Sequence, residues 1–238
     1  MKGGLNKNFW HKHGHTVIIY VFLAALMVFV SAFNKDFFTL GNFKNLLRSS
    51  FPLLMAALGQ TLIILTGGID LSLGGIVALC NVVCVLAMNP DSAWGFIPAL
   101  GAAAAVGLAC GAVNGALVTK GRLAPIIVTI ATTAVFDGMA LLLMPNPGGS
   151  VHKAFAKFLT RGFSGAVPFL LFLVILCLVR SLANTTPYGK ALRAIGGSEN
   201  AAYSTGIRVG KIKFCAYCLA GLLCAVAGIF LSAQMNSA

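Results

Sequence analysis

Seven stretches of the chain are continuously apolar: residues 16–33, 51–69, 71–88, 94–118, 125–144, 166–183 and 214–233. Each has the length needed to cross a bilayer as a helix, about 17 to 25 residues. Short polar connections separate most of them. The pattern predicts an all-α integral membrane protein, a polytopic bundle with about seven transmembrane segments in residues 16–238. The first run follows Lys2, Lys7 and Lys12. It is longer than the roughly 7–15 apolar residues of a secretory signal core, so it reads as an uncleaved signal anchor behind a tail at residues 1–15.

Two connections are long. Residues 145–165, PNPGGSVHKAFAKFLTRGFSG, follow a helix that Pro145, Pro147 and Gly148 terminate. Residues 184–213, NTTPYGKALRAIGGSENAAYSTGIRVGKIK, are too polar for a membrane and too patterned for a slack linker. Tyr188, Ala191, Leu192 and Ile195 form a short amphipathic stripe that Gly196-Gly197 ends. Glycine there permits a sharp reversal and close contact, and a side chain at Gly197 is expected to disturb both. Ser198 is placed to cap a second short helix from Glu199 to Tyr203.

Composition strengthens this picture. The chain is 58% hydrophobic and 9% charged, with a mean hydropathy of +0.92. Soluble domains carry about 25% charged residues. The net charge is +12, yet the basic residues lie between apolar runs and form no aromatic-interleaved platform, so nucleic acid is not an expected partner. Instead they report topology. With the N-terminus in the cytoplasm, Lys2, Lys7, Lys12, Lys120, Arg122, Arg180, Lys190, Arg193, Arg208, Lys211 and Lys213 fall inside. The other six of the 17 fall outside. That bias predicts a multi-pass protein with a cytoplasmic N-terminus.

One short stretch breaks the apolar rule. In LTGGIDLSLGG, residues 65–75, Asp70 stands among Gly67, Gly68, Gly74 and Gly75. An acid at a helix centre costs about 2.5–3.5 kcal/mol on insertion scales. The glycines let the chain leave helical geometry, which at membrane depth is tolerated only inside protein or beside water. Two readings follow. The stretch is either a tight cytoplasmic turn, with Ser72 as a cap, or a break near 66–75 in a discontinuous helix that lines a cavity. Gln60, Thr61, Asp70, Ser72, Asn81 and Asn114 are the polar candidates for a solute path. Asp137 is the other acid within an apolar run, a proton or cation site or a paired group near the outer interface. Ala103, Gly107, Gly111 and Gly115 recur every fourth residue and predict a tight helix-packing seam.

Reaction chemistry is not indicated, and no catalytic residue is assigned. The chain lacks the G-x-x-x-x-G-K-[ST] phosphate loop, H-E-x-x-H and G-x-S-x-G. His11, His13 and His15 read as a solvated tract rather than a metal site. Cys80, Cys84, Cys110, Cys177 and Cys224 lie within apolar runs and read as membrane-buried thiols. The Cys215–Cys218 pair has no second pair or nearby His, so no metal is assigned there either.

Three motifs together resemble a known family. They are LGQTLIILTGGIDLSLGGIVAL, then GAVNGALVTKGRLAPIIVTIATTAVFDGMALLL, then TPYGKALRAIGGSENAAYSTGIRVGKIKFCAYCLAGLLCAVAGIFLSAQMNSA. In that order and spacing they resemble the permease subunit of ribose-type (ribose, xylose, arabinose) ABC sugar importers, within a superfamily that includes branched-chain amino-acid permeases. The resemblance runs from about Phe37 to Ala238. It implies a subunit moving a small monosaccharide across a bacterial inner membrane. Alternatives are branched-chain amino acids or another small solute and, from a different class, an ion- or proton-coupled secondary carrier. The implied partners are a cytoplasmic ABC ATPase carrying ATP and Mg, a periplasmic or lipid-anchored sugar-binding protein, and a second permease copy, identical or not. Within the coupling loop 184–213 the resemblance assigns ATPase contact to Tyr188, Gly189, Arg193, Gly196, Gly197, Glu199, Ala201, Ala202 and Gly206. The chain departs from the family in two ways: the pattern has Arg where Asp137 stands, and family chains continue past NSA through further helices, so a truncated permease domain is expected.

Overall fold

The computed structural model describes residues 4–92 and 94–238. Ten helices account for the order of elements: α1 (Gly4–Phe33), α2 (Leu40–Ile64), α3 (Leu73–Leu86), α4 (Phe96–Thr119), α5 (Pro125–Leu143), α6 (Lys153–Gly165), α7 (Val167–Thr185), α8 (Pro187–Gly197), α9 (Glu199–Ser204) and α10 (Val209–Met235). The chain divides into two units, Met1–Leu46 and Leu47–Ala238. The first contains α1, which is helical from Gly4 through the stretch expected to be a tail. The side chains of His11, His13 and His15 lie outside the described residues.

Among the described residues, six helices are long and apolar enough to cross a membrane: α1, α2, α4, α5, α7 and α10. The third predicted segment is different. Instead of an 18-residue crossing at 71–88, it is a 14-residue helix, α3, about 21 Å long against a hydrocarbon core of about 30 Å. The glycine-flanked connector 65–72 is non-helical and joins the end of α2 to the start of α3.

In the second unit α10 forms the axis. A Cβ built on Gly107 of α4 would lie 2.4 Å from the Gly221 carbonyl oxygen of α10, and one on Gly221 would lie 2.1 Å from the Gly107 carbonyl oxygen. Gly111 faces the Tyr217 carbonyl at 2.3 Å, and Gly115 faces Phe214 at 3.1 Å. Backbones at this separation leave no room for any side chain, which is why the α4 stripe is built of small residues. Ala103, at the far end of the stripe, turns to α3 and accepts from the Cys80 thiol at 3.5 Å. Gly228 of α10 repeats the device against Val77, Cys80 and Asn81 of α3.

The two ends of this unit differ. At one end the 65–68 turn and the 119–125 connection lie beside α8, α9 and the start of α10. At the other, the Gly148 and Ala238 backbones exchange hydrogen bonds of 3.0 and 3.1 Å, and the His152 N–H reaches Met88 Sδ. The 145–165 connection contains a helix that its sequence did not announce. His152 caps α6 by accepting from the Phe155 N–H, Phe155 stacks on Phe96, and Ala156 and Thr160 are buried.

Candidate functional site

The connector between α2 and α3 begins with a helix stop. The Gly68 N–H bonds the Ile63 carbonyl at 3.2 Å and the Gly67 N–H bonds Ile64 at 2.9 Å. Gly67 has φ +76°. This is the six-to-one and five-to-two pairing of a Schellman stop, which needs a left-handed residue just past the helix. Gly68 has a different reason to lack a side chain: its Cβ would meet Ile63 at 3.1 Å and the Tyr217 hydroxyl at 3.4 Å.

Beyond the stop the chain doubles back along α2, and the Asp70 N–H points to Gln60 Oε1 at 3.4 Å. Asp70 is 5% exposed. Its Oδ1 accepts from the Ser72 N–H at 2.7 Å and the Ser72 hydroxyl at 2.6 Å. The Ser72 oxygen in turn accepts from Asn114 Nδ2 of α4 at 2.6 Å. The role expected of Ser72 is therefore reassigned: its side chain makes no cap bond, and Asp70 satisfies the start of α3 by an Asx turn. From α5, the Thr133 hydroxyl donates to the Leu71 carbonyl at 3.1 Å. Three helices, α2, α4 and α5, thus hold three consecutive non-helical residues, Asp70 to Ser72. A hydroxyl that accepts from one partner while donating to another is polarised by both, so the chain of bonds is stronger together than singly.

The structure sorts the candidate path residues into groups. Asp70, Ser72 and Asn114 meet in the buried network, with Gln60 at its edge. Thr61 is exposed on α2, its hydroxyl bonded to the Ala57 carbonyl. Asn81 lies on α3, away from these bonds, with Oδ1 buried and unpartnered. Asn114 Oδ1 and the Tyr217 hydroxyl are also buried without a partner among the described residues. Tyr217 is the member that sequence reading missed. It sits in an apolar run beside the C-x-x-C pair and reads there as core. The arrangement has no nucleophile paired to a base; it is a lock on the connector between α2 and α3.

The coupling loop is pinned to the same region. Thr186 caps α8 by accepting from the Gly189 N–H at 3.2 Å, with Pro187 as its first residue. A Cβ on Gly189 would lie 2.1 Å from the Ala183 carbonyl oxygen. Arg193 donates to the Ala183 carbonyl at 2.6 Å and to Asn184 Oδ1. The Tyr188 hydroxyl donates to the Ile212 carbonyl of α10 at 3.3 Å; burial pushes this phenol well above its usual range, so it stays a donor. Leu192, fully buried, packs with Leu62, Leu65 and Ala216. Ser198 closes α8 and caps α9 through the Ala201 N–H. Ala202 is buried with Ile195 and Val209, and Glu199 pairs with Lys213. Gly206, at φ +84°, ends α9 as Gly67 ends α2.

The two glycines of this loop exchange their expected roles. A Cβ on Gly197 would meet nothing within 4 Å, whereas one on Gly196 would lie 2.4 Å from the Leu65 carbonyl oxygen. The close contact expected of Gly197 therefore belongs to Gly196. It joins α8 to the turn that leads into Asp70, and Gly197 faces outward.

The family described as Branched-chain amino acid transport system / permease component matches residues 42–238. The ribose import permease protein RbsC of Bacillus subtilis (strain 168) is 37% identical over 222 residues, covering 91% of this chain and 68% of that protein. The protein of the same name in Escherichia coli (strain K12) is 32% identical over 224 residues, covering 91% and 68%. The fructose import permease protein FruF of Bifidobacterium longum (strain NCC 2705) is 33% identical over 227 residues, covering 88% and 63%. No solved structure matches.

Proposed function

The chain belongs to the branched-chain amino acid transport system / permease component family, and on that premise we propose that it is the transmembrane permease subunit of an ATP-binding-cassette importer for a small, ribose-like sugar. The observation that carries the proposal is the placement of α8. This short helix between two membrane helices buries Leu192 and Ile195, abuts the 65–68 turn through Gly196 and turns Gly197 outward, beside the exposed Glu199 and Tyr203 of α9. A chain without a nucleotide-binding motif needs such a face to receive work from a partner.

The partners are of a defined kind: a cytoplasmic ATPase that binds ATP and Mg, and a sugar-binding protein on the outer side. A second permease copy completes the membrane part. The N-terminus, α8 and α9 lie in the cytoplasm, and the protein sits in the bacterial cytoplasmic membrane. In this scheme the ATPase moves α8, and Gly196 passes that motion to the connector held by Asp70, Ser72 and Asn114. The network keeps the connector in one geometry until the motion arrives.

The test is uptake of labelled ribose and fructose by vesicles containing the permease, its ATPase and its binding protein. Accumulation that requires ATP hydrolysis is expected. Accumulation driven by an ion gradient without ATP would point to a secondary carrier instead.

A further inference from the structure

Where α4 ends and α10 begins, a cavity of about 480 Å³ opens between them, lined by Thr119, Lys120, Gly210, Lys211, Phe214 and Cys215. Gly210 helps to leave it empty: a Cβ there would meet only Thr119 Cβ within 4 Å, at 3.9 Å. Both lysines are exposed. Lys120 directly follows α4 and Lys211 stands in the first turn of α10, and both helices are of membrane length. The two cations therefore mark one boundary of the apolar layer. Long basic side chains at such a boundary lay their stems on apolar surface and keep the charge among the headgroups.

The charge here is of one sign. Among the described residues no acid lines the cavity. Glu199 lines the adjoining cavity, of about 380 Å³, and is paired with Lys213. Arg122, two residues beyond Lys120, and Arg208, just before α10, add to the positive field. Away from the lysines the surface is apolar. Leu117 lies one turn back from Lys120 and Leu222 two turns on from Cys215, so they continue the same helix faces, and both are exposed. The groove between α4 and α10 thus has cations at its end and apolar walls along its length.

We propose that this groove is a binding site for one anionic phospholipid, with its phosphodiester between Lys120 and Lys211 and an acyl chain against Phe214 and Cys215. An amphipathic ligand matches both halves of the site, and basic pockets between membrane helices select anionic headgroups for this reason. A sugar finds little to bond here: the Thr119 hydroxyl is already committed to the Gly115 carbonyl at 2.6 Å, and the other walls are apolar or cationic. A lipid seated there braces the α4–α10 seam at the end where the coupling loop enters α10. The inference stands on the membrane-spanning helices and is independent of the solute proposed above.

The test uses the complete permease in nanodiscs, with Cys215 retained as the sole cysteine and a parental thermal midpoint verified. The probe is a neutral maleimide, whose local concentration does not follow surface charge. Adding phosphatidylglycerol to a phosphatidylcholine disc should slow modification of Cys215 severalfold. Each lysine accounts for about fivefold in affinity for an anionic headgroup. Lys120→Gln with Lys211→Gln should therefore weaken binding about twentyfold and restore the rate seen in phosphatidylcholine alone. Arg180→Gln with Lys190→Gln removes equal charge elsewhere and should leave the protection intact. In native mass spectra a phosphatidylglycerol adduct should survive on the parental protein and be lost from Gly210→Leu, which fills the cavity but keeps both lysines. Equal protection in the two double variants overturns the inference, as does an adduct retained by Gly210→Leu. Protection by soluble glycerol phosphate matching that of the lipid would make this a free-phosphate site and overturn it too. So would a Cys215 thiol unreactive in every lipid, the result expected if a second copy or further helix covers the groove. Each of these leaves the importer reading standing, and absence of ATP-dependent ribose or fructose uptake overturns that reading without touching this one.

Discussion

At Asp70 a single oxygen, Oδ1, receives both the Ser72 N–H and the Ser72 hydroxyl. Asp70→Ala leaves these donors buried without an acceptor, a loss of about 1–3 kcal/mol. The thermal midpoint in detergent should fall, assembly should survive, and ribose uptake should vanish. Parental uptake in this variant would remove Asp70 from the mechanism. The glycine pair of α8 gives a sharper contrast. Gly196→Val drives a side chain into the Leu65 carbonyl and should destabilise by about 1–3 kcal/mol. Gly197→Asp points outward and should change stability by under about 0.5 kcal/mol, yet weaken ATPase co-purification and uptake together. Full ATPase binding by Gly197→Asp would place the docking face elsewhere. The sequence made both glycines visible but not their difference, because that depends on Leu65, which only the fold brings to α8.

Among the elements, the α4–α10 seam and the connector before α3 are linked. Tyr217 supplies the carbonyl against Gly111, and its hydroxyl lies beside Gly68. Gly111→Leu should therefore separate the helices and disturb the connector, lowering both the yield of folded protein and uptake. Gly101→Leu on the same helix has open space and should do neither; comparison of size-exclusion profiles and transport checks the pair. The small-residue stripe was legible because a four-residue repeat survives without tertiary information. The length of α3 was not. An apolar run of 18 residues satisfies the hydropathy pattern equally well as one crossing helix or as a connector plus 14 helical residues. The choice was made by Gly67, whose φ of +76° stops α2. Gly67→Ala should cost about 1–2 kcal/mol for that reason, read as a lower thermal midpoint.

For the whole molecule the testable matter is sidedness. Residues 65–68, 119–125 and α8 with α9 lie at one end of the second unit, and residues 144–153 lie at the other. In a cysteine-free background, Ser198→Cys should react with an impermeant maleimide only from the cytoplasmic side, and Asn146→Cys only from outside. Labelling of the Ser198→Cys variant in intact cells would reverse the orientation.

Periodicity, hydropathy and charge bias act over neighbouring residues, so the sequence by itself determined the helical membrane class, the order of segments, the short helices after Pro187 and Ser198, and the family. The tertiary structure decided what depends on partners distant in the chain. Asn114 reaches Ser72 and Tyr217 backs Gly68 because α4 and α10 approach at glycine distance. Gly196 touches Leu65 because α8 folds under α2. Asp137 packs against the α3 backbone because Gly75 carries no side chain. A hydrogen bond or a steric limit acts over about 3 Å, and only folding brings atoms so far apart in sequence to that range.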